Sequence, residues 1–394
     1  MSQRSERLEQ FAIDVILNRR HGARATLLRG LLYALSFVYE RIVQFRLSLY
    51  RHRILRERTL GCLVVSIGNL TVGGTGKTPI VEKFAHALRN GGRRVAILSR
   101  GYKSVPQTPA SNGLFGRKIA SLPRVVSDGK SLLLDSLTAG DEPYMLANNL
   151  KDVIVLVDKD RVKSGLFAIK ELGADTLLLD DGLQYLHLKH RLDIVLIDRQ
   201  APFGNEYLLP RGTLREPRRN LRRASYIFIT KCTGESNDDL IGRIRRYNRT
   251  AEIIECAHKP LHLQNVFTGE RLPLEKLRDA FIGSLCGIAA PESFEDGLRK
   301  LGARIEIAKR YTDHHRYSEA ELQSFINRCV RRDLAMIVTT EKDAVRFPRL
   351  MSPEVPIYYL RVEIEILSGH ESWEHCVARI CKPQPMLSPQ RFFS

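Results

Sequence analysis

Short, uninterrupted apolar runs recur along the chain from Leu60 onward, and stretches with helical spacing separate them. The first run, at 62–67 (CLVVSI), precedes a glycine-rich turn and a segment whose apolar residues fall on one helical face. Wholly apolar runs of this length are typical of strands buried on both faces of a parallel sheet. Further runs stand at 94–98, 153–157, 176–179, 194–197 and 226–230. The pattern predicts an α/β fold with a doubly wound, mostly parallel sheet.

A second and smaller α/β set begins near Phe281 and places a helix at about 292–301. Its apolar runs stand at 281–286, 305–308, 335–338 and 357–362. A length of 394 residues also favours more than one domain. We therefore predict an N-terminal helical segment at 1–58, a larger domain at 59–260 and a smaller domain at 261–394. The residues between Lys103 and Pro123 are rich in Ser, Pro, Gly and Asn, which predicts a surface loop.

Composition narrows the class of protein. Hydrophobic residues make up 43% and charged residues 27% of the chain, which excludes disordered and collagen-like classes. The 62 basic against 44 acidic residues give a net charge of +18, which favours a polyanionic partner. Nucleic acid, an anionic membrane surface and a phosphorylated substrate all satisfy that charge. The seven scattered cysteines show no zinc-site spacing, so we expect reduced core thiols.

The N-terminal segment contains an uncharged run at 30–39 (GLLYALSFVY) inside a predicted helix from about 25 to 49. Ten residues are too few to span a bilayer, which takes about 20. Arginines flank the run on both sides, a pattern typical of a helix lying at an anionic membrane surface. A helix packed into the protein core fits the same apolar run, and the residues alone leave both interpretations open.

The strongest chemical signal is GNLTVGGTGKTP at 68–79, between a predicted strand and a predicted helix. Its glycines let backbone N–H groups close around phosphate oxygens, Lys77 adds a positive charge, and the Thr78 hydroxyl suits Mg²⁺. Thr71 stands where the usual phosphate-loop pattern has its first glycine. A later strand ends in Asp180 and Asp181, the position of a metal-holding carboxylate in such enzymes, although a strand-end Asp also often caps a helix.

A series of motifs in this sequence closely resembles the tetraacyldisaccharide 4'-kinase (LpxK) family of the lipid A pathway. In chain order the motifs are GNLTVGGTGKTP at 68–79, SRGY at 99–102, AGDEP at 139–143, DDGLQ at 180–184, PFGN at 202–205, LLPRGTLREP at 208–217, DHH at 313–315 and TTEKDA at 339–344. One departure is clear, because the family's DDGFQH is DDGLQY here, so no imidazole stands at Tyr185.

The resemblance implies a P-loop kinase that uses ATP and Mg²⁺ to phosphorylate the 4'-hydroxyl of an acylated glucosamine disaccharide 1-phosphate, which yields lipid IVA. It also implies a peripheral protein at the cytoplasmic face of the inner membrane, in contact with an anionic membrane surface and with no nucleic acid. The membrane interpretation of the N-terminal helix is accordingly favoured. Two rival classes are a P-loop ATPase or GTPase that binds nucleic acid, and a membrane-associated scaffold that retains a nucleotide fold.

The same resemblance assigns roles to individual residues. Contact with ATP is implied for Thr71, Val72, Gly73, Gly74, Thr75, Gly76, Lys77, Thr78 and Arg215, and Mg²⁺ binding for Thr78, Asp180 and Glu216. Lys77 is expected to neutralise developing charge. Asp141 matches the family's proposed general base, with a histidine of the DHH motif beside it. We choose His315 as that histidine, with His314 as the alternative.

Overall fold

The structure is a computed structural model, and it describes residues 11–101, 122–348, 350 and 353–382. The predicted surface loop at 103–123 falls almost entirely outside these residues. The same holds for residues 1–10 and 383–394 of the two predicted end segments.

The strands of the described residues join in one large sheet. Their order across the sheet is β11-β10-β12-β13-β8-β7-β6-β1-β5-β2-β4-β3, with β9 paired to β8. Neighbours are parallel except for β3 with β4, β8 with β13 and β8 with β9. The bounds are β1 Leu63–Asn69, β2 Val95–Ser99, β3 Arg124–Asp128, β4 Ile154–Val157, β5 Thr176–Asp180, β6 Leu192–Asp198, β7 Tyr226–Thr230, β8 Glu252–Asn265, β9 Arg271–Leu272, β10 Phe281–Cys286, β11 Arg304–Arg310, β12 Met336–Thr340 and β13 Ile357–Ser368.

Helices connect these strands and cover the sheet. Their bounds are α1 Ala23–Arg51, α2 Lys77–Asn90, α3 Ser136–Ala139, α4 Asp141–Asn149, α5 Arg161–Lys170, α6 Asp238–Arg245, α7 Pro291–Lys300, α8 Glu319–Val330, α9 Glu341–Ala344 and α10 His370–Cys381, with 3-10 helices at Arg218–Arg223 and Leu274–Leu277. Strands β1 and β5 are buried along their whole length, as their apolar runs predict. The predicted α/β class with a mostly parallel sheet is thus confirmed.

Strand β8 crosses the boundary that the sequence predicts between the two domains at 260/261. Its first residues pair in parallel with β7, and from Glu255 to Asn265 it pairs with β13 in antiparallel register. The strand pair β8–β13 therefore continues one sheet from the first α/β set into the second. The division into domains stays a prediction.

Helix α1 lies on the outside of the protein. Only Ala25 and Ser36 of its residues are buried, whereas large apolar side chains such as Leu31 (58% exposed) and Phe45 (66%) face outward. Its inner side is held by polar contacts, since Ser36 Oγ donates to Leu208 O at 2.9 Å and Tyr39 Oη donates to Arg215 O at 3.0 Å. In the described parts of the chain, no helix has the length and apolar character needed to cross a bilayer.

Candidate active site

The loop at 70–76 connects the central strand β1 to helix α2 and forms the base of the site. Gly73 and Gly76 have positive φ angles of 116° and 77°, a conformation that side chains other than glycine rarely adopt. A Cβ at Gly76 would also lie 3.1 Å from Nε2 of His258. The amino end of α2 follows at once, so free N–H groups and the positive end of the helix dipole meet at this loop. This backbone is suited to bind phosphate.

Cationic side chains converge beside the loop. Nζ of Lys77 lies 3.4 Å from Oδ1 of Asn69 and 3.8 Å from Oδ1 of Asp181. Arg215 donates through Nη1 and Nη2 to the two oxygens of Asp181, at 2.7 and 2.8 Å. Arg215 reaches the loop because its segment pairs with the loop backbone, where Val72 N donates to a carbonyl of that segment at 2.7 Å. Two cationic side chains therefore lie beside a loop whose backbone is suited to bind phosphate.

Asp180 ends strand β5 next to β1 and is almost fully buried. Its Oδ2 accepts a hydrogen bond from Ser99 Oγ at 3.2 Å, while its Oδ1 has no hydrogen-bond partner among the described residues. Burial, and after it the negative charges of Glu142 and Asp181, raise the pKa of Asp180 to about 7. A buried carboxylate oxygen without a donor is a favourable ligand for a cation.

The residues around Asp180 fit a magnesium ion bound together with phosphate oxygens. Mg²⁺ prefers oxygen ligands and usually takes only one or two carboxylates from the protein. No group of three or more His, Cys, Asp or Glu side chains could enclose a metal within the described ranges, so phosphate and water would have to complete the shell. Asp180 and the hydroxyl of Thr78, the second residue of α2, are the donors that fit.

Glu216 is placed differently from the sequence prediction of a metal ligand. Arg223 Nη2 donates to both of its oxygens, at 2.8 and 2.7 Å. Gln184 Nε2 and Asn220 Nδ2 each donate to one oxygen, at 3.0 and 2.7 Å. A cation would have to displace a guanidinium and two amides from this buried carboxylate, so the geometry does not support a metal role for Glu216. Its contacts instead fix the turn after Arg215.

A second cluster forms around Asp141, the first residue of α4. Its Oδ2 accepts from Arg346 Nε at 2.7 Å and from His314 Nδ1 at 3.1 Å, and its Oδ1 accepts from Arg316 Nη2 at 3.2 Å. Burial alone would raise the pKa of Asp141, but the His314 hydrogen bond and the two guanidinium groups outweigh it and hold the pKa below its usual value. Asp141 is therefore kept ionised beside an imidazole.

The histidine beside Asp141 is His314, and our choice of His315 is corrected. The left-handed backbone at His314, with φ of 66°, turns these two neighbouring side chains in different directions. The His315 ring stacks on Tyr311 at 4.2 Å between centroids, and its Nε2 lies 3.3 Å from Oε2 of Glu321. Nε2 of His314, by contrast, lies 3.4 Å from Nζ of Lys342, which also contacts Glu142.

Sequence reasoning missed several side chains that shape these two clusters. Arg346 has a fully buried side chain and contacts Asp141, His314 and Asp343. Asn69 is fully buried as well and bonds Thr75 Oγ1 at 2.9 Å. Asn69 lies inside the recognised phosphate-loop motif, which could have signalled it, whereas Arg346 lies two residues beyond TTEKDA with no motif of its own.

The chain is similar to known proteins both in sequence and in fold. The family model described as tetraacyldisaccharide-1-P 4'-kinase matches residues 28–382. A tetraacyldisaccharide 4'-kinase of Syntrophus aciditrophicus is 37% identical over 364 residues, which are 89% of this chain and 93% of that protein. One from Halothermothrix orenii is 32% identical over 381 residues, 92% of this chain and 95% of its own. The crystal structure of LpxK from Aquifex aeolicus in complex with ATP is similar with a TM-score of 0.69 and 28% identity, covering 90% of this chain and 99% of that one.

Proposed function

The chain belongs to the tetraacyldisaccharide-1-P 4'-kinase family, and we infer from this that it phosphorylates the 4'-hydroxyl of tetraacyldisaccharide 1-phosphate with ATP, a step of lipid A biosynthesis. The proposal for individual residues rests on one observation. A loop whose conformation requires glycines, with Lys77 and Arg215 beside it, stands at the carboxyl end of the central strand β1. Ligands of open α/β sheets bind at this edge.

The loop at 71–78 is proposed to hold the ATP phosphates with its backbone N–H groups. Lys77 and Arg215 neutralise the charge that develops on the transferred group and on the leaving ADP oxygen, which is the main task of protein groups in phosphoryl transfer. Asp180 and Thr78 would hold Mg²⁺, which when bound would supply further positive charge to stabilise phosphate oxygens. Asp181 keeps Arg215 in place through the two hydrogen bonds between them.

Proton transfer is assigned to Asp141 and His314 acting as a unit. The 4'-oxygen of the lipid attacks the γ-phosphorus, the bond from phosphorus to the bridging oxygen of ADP breaks, and the hydroxyl proton passes to the Asp141–His314 pair. Arg346 and Arg316 hold the Asp141 carboxylate in one orientation. Nδ1 of His314 donates to Asp141, which leaves Nε2 as an acceptor.

Helix α1 is proposed to bring the enzyme to the anionic surface at the cytoplasmic face of the inner membrane. Its exposed apolar face would enter the interface, and the flanking arginines would contact lipid headgroups. The Ser36 and Tyr39 contacts link this helix to the segment that carries Arg215, so the active site would lie close to the acylated substrate. Among the residues that the structure describes, no specific contact favours the nucleic-acid or scaffold alternatives, and no sequence motif does.

The function is tested by incubating the protein with ATP, Mg²⁺ and tetraacyldisaccharide 1-phosphate in detergent and measuring the mass of the lipid. We expect one added phosphoryl group for each ADP formed. ATP hydrolysis without lipid phosphorylation would contradict the proposal, and retardation of oligonucleotides at physiological salt would favour the nucleic-acid alternative.

A further inference from the structure

The carboxyl end of strand β7 contacts the backbone carbonyls of the phosphate-binding loop. Oγ1 of Thr230 donates to the carbonyl of Thr75 at 3.0 Å, and Nζ of Lys231 donates to the carbonyl of Gly74 at 3.0 Å. Two successive residues of one strand end thus bind two successive carbonyls of the loop. Neither Thr230 nor Lys231 belongs to a motif that we assigned to the reaction.

Both donors are themselves fixed. Thr230 is fully buried, and Thr75 O is the nearer of two carbonyls within reach of its hydroxyl, the other being Ile197 O at 3.5 Å. The Lys231 ammonium is also paired with Oδ2 of Asp198 at 2.5 Å, and Asp198 is the neighbour of Thr230 across the β6–β7 pairing. The Lys231 side chain is 23% exposed, and its hydrogen bond to Gly74 O lies at the protein surface.

Holding a carbonyl determines where the next N–H points. A trans peptide is planar, so its C=O and N–H groups lie on opposite sides of the chain. With Thr75 O fixed toward β7, the N–H of Gly76 is directed away from β7. Likewise, anchoring Gly74 O fixes the N–H of Thr75, which is directed back across the loop to Gly73 O at 3.1 Å. The glycines permit many conformations of this loop, and the two donors from β7 restrict them.

We propose that Thr230 and Lys231 are positioning residues that set the phosphate-binding loop by anchoring the carbonyls of Gly74 and Thr75. They act through the loop backbone and contact no reacting atom. The inference rests on the proposed nucleotide site and adds to it the reason why a glycine-rich loop is already ordered for phosphate. Preorganised donors are worth more than donors that have to be ordered on binding.

The test uses the full-length protein in detergent with ATP, ADP and adenosine as probes, and binding is measured by calorimetry or by competition. Thr230→Val and Lys231→Met each remove one donor and keep much of the side-chain volume. Thr230→Ser restores the hydroxyl. Lys259→Met is the matched control, because Lys259 is an exposed lysine of β8 that is paired with Glu365 instead of the loop. Circular dichroism and Tm identify variants that fail to fold.

We expect Thr230→Val and Lys231→Met to weaken ATP and ADP binding by roughly tenfold each, the size of one lost hydrogen bond at a constrained site. Adenosine has no phosphate to place in the loop, so its binding should stay unchanged. Thr230→Ser and Lys259→Met should bind all three probes like the wild type. The KM for ATP should rise more than kcat falls.

Several results would overturn the inference. Wild-type affinity for ATP in both variants would show that the carbonyl anchors are unnecessary. Equal losses for ATP and adenosine would indicate general damage to the site. A salt-sensitive loss in Lys231→Met with none in Thr230→Val would indicate a direct charge effect on phosphate. If the wild-type protein itself fails to bind ATP, the proposed nucleotide site fails and this inference with it, an outcome distinct from the other three.

Discussion

The phosphate-binding loop and the Asp141 cluster are assembled in different ways. The loop is one short stretch, 70–76, whose shape depends on the positive φ angles of its glycines and on the helix that follows. The cluster joins Asp141 to His314 and Arg346, which lie 173 and 205 positions further along the chain. One site is thus made mainly of contiguous backbone, whereas the other is made of side chains brought together by the second α/β set.

This difference determines how each site responds to substitution. A backbone site keeps its N–H groups when a neighbouring side chain is removed, so the loss is limited to the charge of that side chain or to the anchor that it provides for the loop. In the Asp141 cluster the partners depend on one another, because the Arg346 side chain is fully buried and shares Asp141 with His314. Removing one partner leaves the others without a counter-charge or an orientation.

The largest effect is expected at the Asp141 cluster. Asp141→Asn and His314→Ala should each lower kcat by about 10² to 10⁴, the usual range for a positioned acid or base. The double variant should be scarcely less active than the less active of the two single variants, because the effects of residues that act as a unit are strongly non-additive. Steady-state kinetics at saturating ATP and lipid would measure this. If the losses in kcat of the two single variants multiply in the double variant, Asp141 and His314 have independent roles, and the cluster does not act as a unit.

His315 provides a matched control within the same motif. His315→Ala removes an imidazole that stacks on Tyr311 and contacts Glu321, and so should change kcat by only a few-fold. A damaged His315→Ala together with an active His314→Ala would restore the original choice of His315 and contradict the geometry on which the pair rests.

The second largest effect on kcat is expected at the phosphate-binding loop. Lys77→Ala should lower kcat by about 10² or more, because its charge acts on the transition state. The fold should persist, since the loop conformation depends on glycines and on the start of α2. The exposed Lys151 offers a control, and Lys151→Ala should retain wild-type activity. More than about a tenth of wild-type kcat in Lys77→Ala would be incompatible with the assigned role.

The contrast between the two sites also explains what the sequence could predict. A buried apolar run followed by glycines and a helix is a local signal, and it predicted both β1 and the loop that we propose to bind phosphate. The position of Asp180 near the loop was predictable, because this residue ends a strand that lies beside β1. Whether His314 or His315 faces Asp141 depends on one left-handed residue, and no periodicity in the sequence marks such a residue.

The sequence did not indicate the extent of strand β8 or the contacts of Glu216, for related reasons. Pro260 interrupts β8 and cannot donate to a sheet, so its run does not read as a central strand; in the structure it stands beside a register shift opposite Val362. Glu216 lies next to Arg215 in a motif, but its partners Arg223 and Asn220 come from the 3-10 helix that follows. Contacts of this kind depend on the geometry of the turn.

The next prediction concerns helix α1, whose effect on catalysis should be indirect. Leu31→Ser with Phe45→Ser removes two exposed apolar side chains and leaves the Ser36 and Tyr39 contacts in place, unlike deletion of the whole segment. Sedimentation with anionic vesicles should weaken by about tenfold or more, as expected for two apolar groups that no longer enter the interface. The KM for lipid should rise while the KM for ATP stays constant.

Val330→Ser is the control for this surface, because Val330 is an exposed apolar residue of α8 in the second α/β set. It should leave vesicle binding unchanged. If the α1 variant binds vesicles as well as the wild type, the helix does not mediate membrane contact.

The last expected effect is on stability alone, and it separates Asp180, at the end of strand β5, from Asp141 in the second cluster. Asp180 has its pKa raised to about 7 by burial and by neighbouring carboxylates, whereas the pKa of Asp141 is lowered by its cationic partners. Between about pH 4 and 7 the folded protein keeps a proton on Asp180 that the unfolded chain releases, so folding stability falls as pH rises through this window. The folding stability lost in this window stays lost above pH 7. Asp180→Asn removes this loss. The shift of the Asp180 pKa from 3.8 to about 7 corresponds to roughly 4 kcal/mol of folding free energy at most.

Asp180→Asn should therefore raise Tm by a few degrees at pH 8 in the absence of Mg²⁺ and nucleotide, and by less at pH 5, while it abolishes activity. Asp141→Asn should instead lower Tm by a similar amount at both pH values, because Asp141 stabilises the fold as an anion at any pH above its unfolded pKa and its loss leaves Arg346 without its full counter-charge. Thermal unfolding of both variants and the wild type at the two pH values measures this. A Tm for Asp180→Asn below that of the wild type at pH 8 would contradict this expectation. It would mean that the fold already compensates the negative charge of Asp180, so that its unpartnered oxygen does not favour a cation as its burial indicates.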